Sequence, residues 1–394
     1  MIILALNAGS SSLKFAVCCT DSNTFPMEGI IEKIGTPDIF GVLKNNGEKL
    51  LLTLGGKDHQ AAIQVVLATL FHELKQSGQS IEAIGHRVVH GADIFHSATL
   101  IDDSVIASIA QLSPLAPLHN PPTLEVIKAA IALYPSLPQV AIFDTAFHQS
   151  MPEKAFRYAV PDAWFENHKV RKYGFHGTSH SYVSAEAIRR FNLCPDTSNI
   201  VVAHLGNGAS ATAVRGGKSV DTTMGISPLD GLVMGTRSGT VDPSLHCYMK
   251  NEAGLSVEEV TDTLTKKSGM LALSETSSDM RDIWAKHDQG DSKAQMALEV
   301  YSYRLAKEVL ALLAAFPSKI DALIFTGGIG ENDKRVRARL LESLAWIGFE
   351  IDHELNQVGG DTKGQITKSN GPIAAVIETQ EELEIALQTK ALCQ

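Results

Sequence analysis

The chain has 394 residues, a formal net charge of −10 at pH 7, and a composition of 44% hydrophobic and 20% charged residues. This length predicts roughly two domains, each large enough to bury a hydrophobic core, and the composition excludes disordered, collagen-like and coiled-coil proteins. The acidic balance argues against a nucleic-acid-binding protein, although a local group of arginines and histidines can still bind a small anion.

The first half of the chain predicts strands and helices in alternation. A buried strand, a turn of small residues and a second strand come first, and amphipathic or apolar segments follow them. In chain order, these elements are a strand over 2–6, a turn over 7–12, a strand over 13–17, a helix over 61–74, a strand over 83–89, a helix over 123–133 opened by Asn120-Pro121-Pro122, and a strand over 139–143.

The second half repeats the opening pattern and then continues with helices and strands. Two capping boxes predict the starts of helices. In chain order, these elements are a strand over 199–205, a turn over 206–210, a strand over 211–215, a helix start at Ser256-x-x-Glu259, a helix over 293–316, a strand over 322–326, a turn over 327–332, a strand over 374–377, and a helix from Thr379-x-x-Glu382 to Leu392.

The two strand–turn–strand units suggest an internal duplication, since each stands at the head of one half of the chain. Alternation of helices with strands predicts an α/β fold in which mixed sheets are covered by helices. No low-complexity linker separates the halves, so we expect the domain boundary just after the strand that ends in Phe143 and Asp144.

The N-terminus and the cysteines indicate a cytoplasmic protein. The first apolar run is too short for a secretory signal and lacks a basic lead, and no apolar run reaches the length needed to cross a bilayer. The five cysteines contain no C-x-x-C pair and resemble reduced thiols rather than zinc ligands. We therefore expect no membrane partner.

Three local patterns resemble known binding motifs but lack a required feature. Gly216-Gly217-Lys218-Ser219 resembles the end of a P-loop, yet Thr212 stands where that motif requires glycine. The glycines of 206–211 fit a relaxed dinucleotide fingerprint, but the segment after them predicts a strand where the fingerprint requires a helix. His176 and His180 have the spacing of helical zinc ligands, but the Gly-Thr-Ser run between them predicts a loop.

Three turns rich in glycine, serine and asparagine follow apolar strands, over residues 7–12, 206–210 and 327–332. Such turns present backbone N–H groups and short polar side chains without steric obstruction, which is what phosphate oxygens require. One such turn is usually only a turn, whereas three at strand ends predict a nucleotide site as readily as a structural role.

Two arginines lie outside helical patterns and are candidates for anion binding. Arg87 ends a buried strand, and Arg237 lies between glycines in a segment without helical periodicity. Guanidinium groups suit the charge on the equatorial oxygens of a transferring phosphoryl group, and His176 can donate a further hydrogen bond. An ordinary ion pair remains the alternative for either arginine.

Two acidic residues are candidates for metal binding. Asp144 follows a buried strand, a usual place for a carboxylate that holds Mg²⁺ near phosphates, and its alternative role is a helix N-cap. Glu381 falls in the first turn of the last predicted helix, where the helix dipole favours any acid. Local physics alone therefore gives Glu381 no function.

Nine segments, in this order along the chain, are identified as motifs of the acetate kinase family, which the chain resembles over nearly its whole length. They are LNAGSSSLKF (6–15), GHRVVHG (85–91), APLHNPP (116–122), FDTAFHQSMP (143–152), YGFHGTSH (173–180), HLGNGAS (204–210), DTTMG (221–225), GTRSGTVDP (235–243) and FTGGIGEN (325–332). The family belongs to the actin, Hsp70 and sugar-kinase superfamily.

The resemblance implies a duplicated two-domain actin-like ATPase fold, with ribonuclease H-like mixed sheets covered by helices and ATP bound in an interdomain cleft. It implies an N-terminal domain over 1–147 that is completed by the C-terminal helix over 383–394. The nucleotide-binding domain then spans 148–382.

The resemblance also implies roles for individual residues. Those that act on the transferring phosphoryl group are Arg87, His119, Asp144, His176 and Arg237. Those that bind ATP are Asn7, Ser10, Ser12, Lys14, His204, Gly206, Asn207, Gly208, Asp279, Arg281, Gly327, Gly328, Ile329, Gly330 and Asn332. Those that form the acceptor pocket are Arg87, Val89, Leu118, Phe175 and Pro228. Those that bind Mg²⁺, or Mn²⁺ in its place, are Asn7, Asp144 and Glu381.

The implied activity is that of an acetate kinase: direct in-line transfer of the ATP γ-phosphoryl group to acetate, by a cytoplasmic homodimer. Val89, rather than a smaller residue, favours acetate, and a propionate or other short-chain acyl kinase is the nearest alternative. An actin- or Hsp70-like ATP-driven binding module is an alternative of another class, but it has no use for two clamp arginines. A serine hydrolase is a third, although neither Ser10 nor Ser179 lies in a G-x-S-x-G elbow.

Two segments depart from the family's usual pattern. Thr240 stands where the family usually has aspartate, and Glu378 and Gln380 stand where it usually has proline and asparagine. The second departure lies beside Glu381 and bears on metal affinity.

Overall fold

A computed structural model describes residues 1–54, 56–368 and 371–394. The described chain forms two units. Unit 1 contains Met1–Phe147 and Gln380–Gln394, and unit 2 contains His148–Thr379. The chain therefore leaves unit 1 once and returns to it with its last helix.

Each unit contains one β-sheet. The strands of unit 1 are β1 (Ile2–Ala8), β2 (Ser12–Cys19), β3 (Thr24–Glu32), β4 (Phe40–Asn45), β5 (Glu48–Leu52), β6 (Ala83–Val88), β7 (Thr99–Leu100) and β8 (Gln139–Phe143). The strands of unit 2 are β9 (Asn199–Leu205), β10 (Ala209–Arg215), β11 (Lys218–Thr222), β12 (Ala322–Thr326) and β13 (Ile373–Val376).

The two sheets share one pairing pattern. In unit 1, β1, β2 and β3 form an antiparallel meander, and β6 and β8 continue the sheet parallel to β1. In unit 2, β9, β10 and β11 form the meander, and β12 and β13 continue the sheet parallel to β9. Unit 1 adds β4 and β5 beyond β3, and the short β7 beyond β8. The common order agrees with the internal duplication that the sequence predicts.

Helices follow or cover these strands. They are α1 (His59–Gln76), α2 (Asp103–Gln111), α3 (Asn120–Leu133), α4 (Glu153–Phe156), α5 (Asp162–His168), α6 (Gly177–Phe191), α7 (Leu245–Ala253), α8 (Val257–Lys266), α9 (Gly269–Ser274), α10 (Met280–Asp288), α11 (Ser292–Leu312), α12 (Gly327–Asn332), α13 (Lys334–Ser343), α14 (His353–Val358) and α15 (Glu381–Cys393). None of them, in the described ranges, is long and apolar enough to cross a lipid bilayer.

The two faces of the unit 1 sheet are covered by different helices. Successive side chains of a strand point to opposite faces, so Leu4 and Leu6 of β1 pack in one core with α1 and α3. Ala5 between them packs on the other face with Ile385 of α15. The last helix is therefore part of the unit 1 core, and the predicted α/β class with mixed, helix-covered sheets is confirmed.

Every helix and strand predicted from the sequence is present, but two glycine-rich segments differ from prediction. The residues after His176 form the first turn of α6 rather than a loop, and they are buried, so packing overrides their low helix propensity. The segment 327–332 forms α12 rather than a turn. Gly327 begins it at a φ of +76°, where an added Cβ would lie 2.9 Å from the carbonyl oxygen of Leu205.

Two predicted helix caps also take other roles. Asn120 is the first residue of α3, and its buried amide exchanges hydrogen bonds with the backbone of His90. The last helix starts at Glu381 without a side-chain cap, because the Thr379 hydroxyl instead donates to Ser179. The capping box predicted at Ser256 is confirmed.

We expect Ile385→Ala to destabilise unit 1 by about 2–5 kcal/mol. The Ile385 side chain is completely buried between α15 and the sheet, and its removal leaves a cavity there. Leu392→Ala on the same helix is the control, since that side chain is 40% exposed and should lose less than about 1 kcal/mol. Denaturant unfolding measures both. Equal losses in the two variants would show that α15 does not belong to this core.

Candidate active site

The ends of three neighbouring strands in unit 1 bring together an amide, an arginine and a carboxylate. Parallel β1, β6 and β8 end at the same edge of the sheet, and Asn7 lies directly opposite Arg87 in their register. Arg87 Nε and Nη2 donate to the two oxygens of Asp144, at 2.8 and 2.7 Å. Arg87 Nη1 donates to Asn7 Oδ1 at 3.3 Å and lies 3.6 Å from Glu381 Oε2.

This cluster holds its charges away from solvent. The Asp144 side chain is 1% exposed and that of Arg87 is 18% exposed. Burial by itself lowers the pKa of Arg87, but the adjacent carboxylates of Asp144 and Glu381 outweigh burial and raise that pKa above its ordinary value. Arg87 therefore stays protonated. Asp144 pairs with it and does not cap a helix, which was the alternative role for this residue.

The oxygens around Arg87 suit a hard divalent cation. Two carboxylates and one amide oxygen, from Asp144, Glu381 and Asn7, contact a single guanidinium group, and oxygen ligands of this kind are those that Mg²⁺ prefers. Among the described residues, no group of three or more histidine, cysteine, aspartate or glutamate side chains is arranged to hold a metal ion.

The first glycine–serine turn joins β1 to β2 beside this cluster. The Gly9 N–H donates to the Ser12 carbonyl at 2.8 Å, which closes the turn, and Ser10 is exposed at its tip. Lys14 points to solvent and forms an ion pair with Glu382 in the first turn of α15. His119 is the N-cap residue of α3.

In unit 2, His176 and Arg237 converge on the glycine-rich turn over residues 206–210. A Cβ built on Gly208 would lie 3.5 Å from Arg237 Nη1 and 3.7 Å from His176 Nε2. The absence of a side chain at this position leaves room for a small anionic group between them. His176 itself has a φ of +57° as the N-cap residue of α6, and its Nδ1 lies 2.9 Å from Ser210 Oγ.

Arg237 has few partners for a partly buried cation. Its Nη1 donates to the Pro228 carbonyl at 3.2 Å and contacts Met234 Sδ at 3.7 Å. No carboxylate in the described part of the chain pairs with it, and burial lowers its pKa. An ordinary ion pair was the alternative role for each arginine. Arg87 does form such a pair, whereas Arg237 forms none among the described residues.

A cavity of about 740 Å³ opens beside this turn within unit 2. Its lining includes seven of the residues assigned to ATP, which are Gly206, Asn207, Asp279, Arg281, Gly328, Ile329 and Asn332. His204, Gly208, Gly327 and Gly330 do not line it. They lie in β9, in the turn after it and in α12, next in sequence to residues that do line the cavity.

Sequence reasoning missed part of this cavity, chiefly Trp284 and Arg335. The Trp284 indole donates to Asp333 at 2.7 Å, and the Arg335 guanidinium stacks 3.6 Å above the ring. The sequence signal for Arg335 is the pair of basic residues, Lys334 and Arg335, that follows the FTGGIGEN motif and Asp333.

The residues assigned to the acceptor pocket divide between the units. In unit 1, Val89 is 9% exposed and Leu118 is 47% exposed. In unit 2, Phe175 is buried, with its carbonyl accepting from His148 Nε2, and Pro228 accepts from Arg237.

One serine–histidine pair resembles a hydrolase dyad but cannot act as one. Ser179 Oγ lies 2.8 Å from His204 Nδ1. Ser179 is completely buried and its oxygen already accepts a hydrogen bond from Thr379. No substrate carbonyl can approach such a hydroxyl, which argues against the hydrolase alternative.

The chain matches known proteins along nearly its whole length. A family model described as the acetokinase family matches residues 2–387. The acetate kinase of Ectopseudomonas mendocina (strain ymp) is 47% identical over 392 residues, which are 99% of this chain and 98% of that protein. The acetate kinase of Deinococcus radiodurans is 46% identical over 394 residues, which are 100% of this chain and 98% of that protein.

Two crystal structures are similar in fold as well as in sequence. That of Porphyromonas gingivalis acetate kinase has a TM-score of 0.93 at 38% identity and covers 100% of both chains. That of a propionate kinase from Francisella tularensis subsp. tularensis SCHU S4 has a TM-score of 0.93 at 43% identity and covers 99% of both chains.

We expect Asp144→Ala to cost about 3–5 kcal/mol of stability, because it leaves the Arg87 guanidinium buried without its bidentate partner. Glu28→Ala is the control, since its ion pair with Lys44 is half exposed on both sides and should contribute less than about 1 kcal/mol. Chemical denaturation measures both variants. A loss for Asp144→Ala no larger than that of the control would contradict the buried pairing.

Proposed function

We propose that this chain, which belongs to the acetokinase family, catalyses reversible transfer of the γ-phosphoryl group of ATP to acetate, giving acetyl phosphate and ADP. It is a phosphotransferase with the duplicated actin-like ATPase fold. The geometric observation that carries the proposal is Arg237, a partly buried cation without a carboxylate partner in the described residues, which meets His176 at Gly208.

Both reactants are anions, so the reaction needs neutralisation of charge rather than a base. A small carboxylic acid is already ionised at pH 7. Phosphoryl transfer depends almost entirely on positioning and on electrostatic stabilisation of the transferring group. The side chains proposed for this site therefore bind and orient, and none is a general base.

Arg87 is proposed to orient the acceptor carboxylate. Its Nε and Nη2 are committed to Asp144, which fixes the plane of the guanidinium. Its Nη1 has only the longer contacts to Asn7 and Glu381 and is the nitrogen proposed to reach acetate. His119 assists beside it, and Val89, Leu118, Phe175 and Pro228 are the proposed neighbours of the acetate methyl group.

Arg237 and His176 are proposed to bind the equatorial oxygens of the transferring phosphoryl group. Their convergence at Gly208 supports this role, because a guanidinium nitrogen and an imidazole nitrogen both lie beside the space that the missing side chain of Gly208 leaves open. Donors held in advance at the place where charge develops are the largest source of catalysis in such reactions.

The cavity of unit 2 is proposed to hold the nucleotide. Its walls include residues 279–281 and residues of α12. The turn at Asn207 is proposed to supply backbone N–H groups for phosphate. In unit 1, Asn7, Ser10, Ser12 and Lys14 are proposed to contact the phosphates through the first turn.

Asp144, Glu381 and Asn7 are proposed to hold Mg²⁺, because their oxygens form the hard donor set described above. The bound ion, or Mn²⁺ in its place, would neutralise charge on the β- and γ-phosphates. We also propose that units 1 and 2 are the two domains implied by the resemblance, and that the protein acts in the cytoplasm as a homodimer.

Propionate is the alternative acceptor, favoured by the likeness to the Francisella propionate kinase. A steady-state assay of ADP formation with ATP and Mg²⁺ tests the function and decides between the acids by their kcat/KM values. Absence of acid-dependent ADP formation would instead favour the non-enzymatic ATP-driven module.

We expect Arg237→Ala to lower kcat by at least about 100-fold with acetate, because it removes a donor to the transferring phosphoryl group. The variant should fold, since Arg237 makes only a carbonyl and a thioether contact in the described chain. Arg189→Ala is the control, because that exposed arginine pairs only with Glu186 on α6 within the described residues. Near-wild-type kcat in Arg237→Ala would exclude the proposed role.

We expect ATP to change the tryptophan fluorescence of the protein, and Trp284→Phe to abolish that change. Trp284 lines the cavity, whereas the other two tryptophans, Trp164 and Trp346, are 51% and 75% exposed and do not line it. Titration of the wild type and of Trp346→Phe with ATP gives the comparison. A change that persists in Trp284→Phe would place the nucleotide elsewhere.

A further inference from the structure

A largely buried group of histidines and serines lies near the turn at Gly208 in unit 2. We name it the His–Ser cluster, and its members are His148, His176, His180, His204, Ser179 and Ser210. The rings of His176 and His204 are stacked at 4.4 Å between centroids. The proposed function uses His176 but gives no role to the hydroxyl groups around it.

Ser210 of β10 bridges two imidazole rings. Its Oγ lies 2.9 Å from His176 Nδ1 and 2.8 Å from His180 Nε2, and the residue is completely buried. A hydroxyl group carries a single proton and two lone pairs, so Ser210 can donate to at most one of these rings and must accept from at least one.

His180 determines the direction of this bridge. Its ring is completely buried, and burial together with the neighbouring histidines lowers its pKa well below the usual value, so the ring is neutral. Its Nδ1 has no hydrogen-bond partner among the described residues. A buried N–H without an acceptor is rarer in proteins than a buried acceptor without a donor. The proton of His180 therefore lies on Nε2, which donates to Ser210.

Among the described residues the Ser210 hydroxyl has no acceptor other than His176 Nδ1, so it donates there, and a single proton on the His176 ring then lies on Nε2. This is the nitrogen that faces Gly208 and Arg237. We propose that Ser210 and His180 are positioning residues that fix His176 in the Nε2–H tautomer, so that its Nε2–H group is a donor to the transferring phosphoryl group. This inference rests on the proposed role of His176 in the reaction.

The stacked partner of His176 is held in the same way. The Thr379 hydroxyl donates to Ser179 Oγ at 2.8 Å, and the only acceptor for the Ser179 proton in the described part of the chain is His204 Nδ1, also at 2.8 Å. His204 thus also carries its proton on Nε2. Two separate hydroxyl groups thus direct the two stacked rings to the same tautomer.

The alternative tautomer would work against the reaction. With its proton on Nδ1, His176 would turn the lone pair of Nε2 toward phosphoryl oxygens that also carry lone pairs. A wrong histidine tautomer is known to cost orders of magnitude in rate in the serine-protease triad, where a carboxylate fixes the ring. Here a neutral serine and a neutral histidine do so without adding negative charge beside the phosphates.

The test is a two-bond ¹H–¹⁵N correlation spectrum of the whole protein labelled with [¹⁵N]histidine, near neutral pH. The nitrogen shifts distinguish protonated from unprotonated ring positions, and loss of signals in His176→Gln assigns His176. We expect Nε2 of His176 to be protonated and Nδ1 unprotonated. A proton on Nδ1 overturns the inference, whatever the activity of the protein.

Variants of Ser210 supply the second readout. We expect Ser210→Ala to alter the His176 signals and to lower kcat at least about 10-fold, while KM for ATP changes less than about 2-fold. Ser210→Thr keeps the hydroxyl and should restore both. Ser184→Ala is the matched control, since this buried serine of α6 bonds only the Ser181 carbonyl in the described chain.

Unchanged His176 signals and unchanged kcat in Ser210→Ala overturn the inference. If Ser210→Ala fails to fold, the wild-type spectrum and Ser210→Thr still decide it. Failure of the proposed function is distinguishable, because it appears as absence of acetate-dependent ADP formation in the wild type, with the tautomer read independently.

Discussion

The charge on Asp144 is the constraint on which the rest of unit 1 depends. A carboxylate that is 1% exposed must be paired, and Arg87 supplies both hydrogen bonds that it needs. With Glu381 added, this cluster holds one positive and two negative groups, and its formal charge is −1. The cluster of unit 2 has the opposite sign, because Arg237 has no carboxylate partner in the described residues. The first arrangement suits a cation and the second suits an anion.

The shared topology explains why polar residues collect at two turns of the chain. In each unit the first strand of the meander is central, and its end lies beside the ends of the parallel strands that follow. A turn placed there presents its backbone to whatever binds at that edge, in unit 1 between β1 and β2 and in unit 2 between β9 and β10. Duplication of the sheet therefore duplicates the phosphate-type turn, with Gly9 in one copy and Gly208 in the other.

The sequence predicts what local patterns determine. Apolar runs and periodicity identify the strands and helices, because burial of one face leaves a repeat in the chain. Glycine-rich segments are predicted less well. The sequence predicts a turn for α12 and a loop for the start of α6, yet both are helical and pack against β9 and β12. Contacts between distant residues leave no local pattern, and the pairing of Thr379 with Ser179 is one of them. Arg87 and Asp144 are indicated by their positions at the ends of apolar strands and Arg237 by its flanking glycines, whereas Trp284 lies outside every motif.

Three arginines differ in how many of their N–H groups have an acceptor among the described residues. Arg337 is 2% exposed and donates four hydrogen bonds, to the carbonyls of Gly330 and Glu331 and to Asn356, so it serves to hold the end of α12. Arg87 gives two of its three nitrogens to Asp144 and keeps Nη1 for longer contacts. Arg237 uses only Nη1 among the described residues. Because a desolvated donor without an acceptor is costly, the remaining N–H groups of Arg237 favour an anionic ligand, whereas Arg337 uses four of its five N–H groups within the described residues.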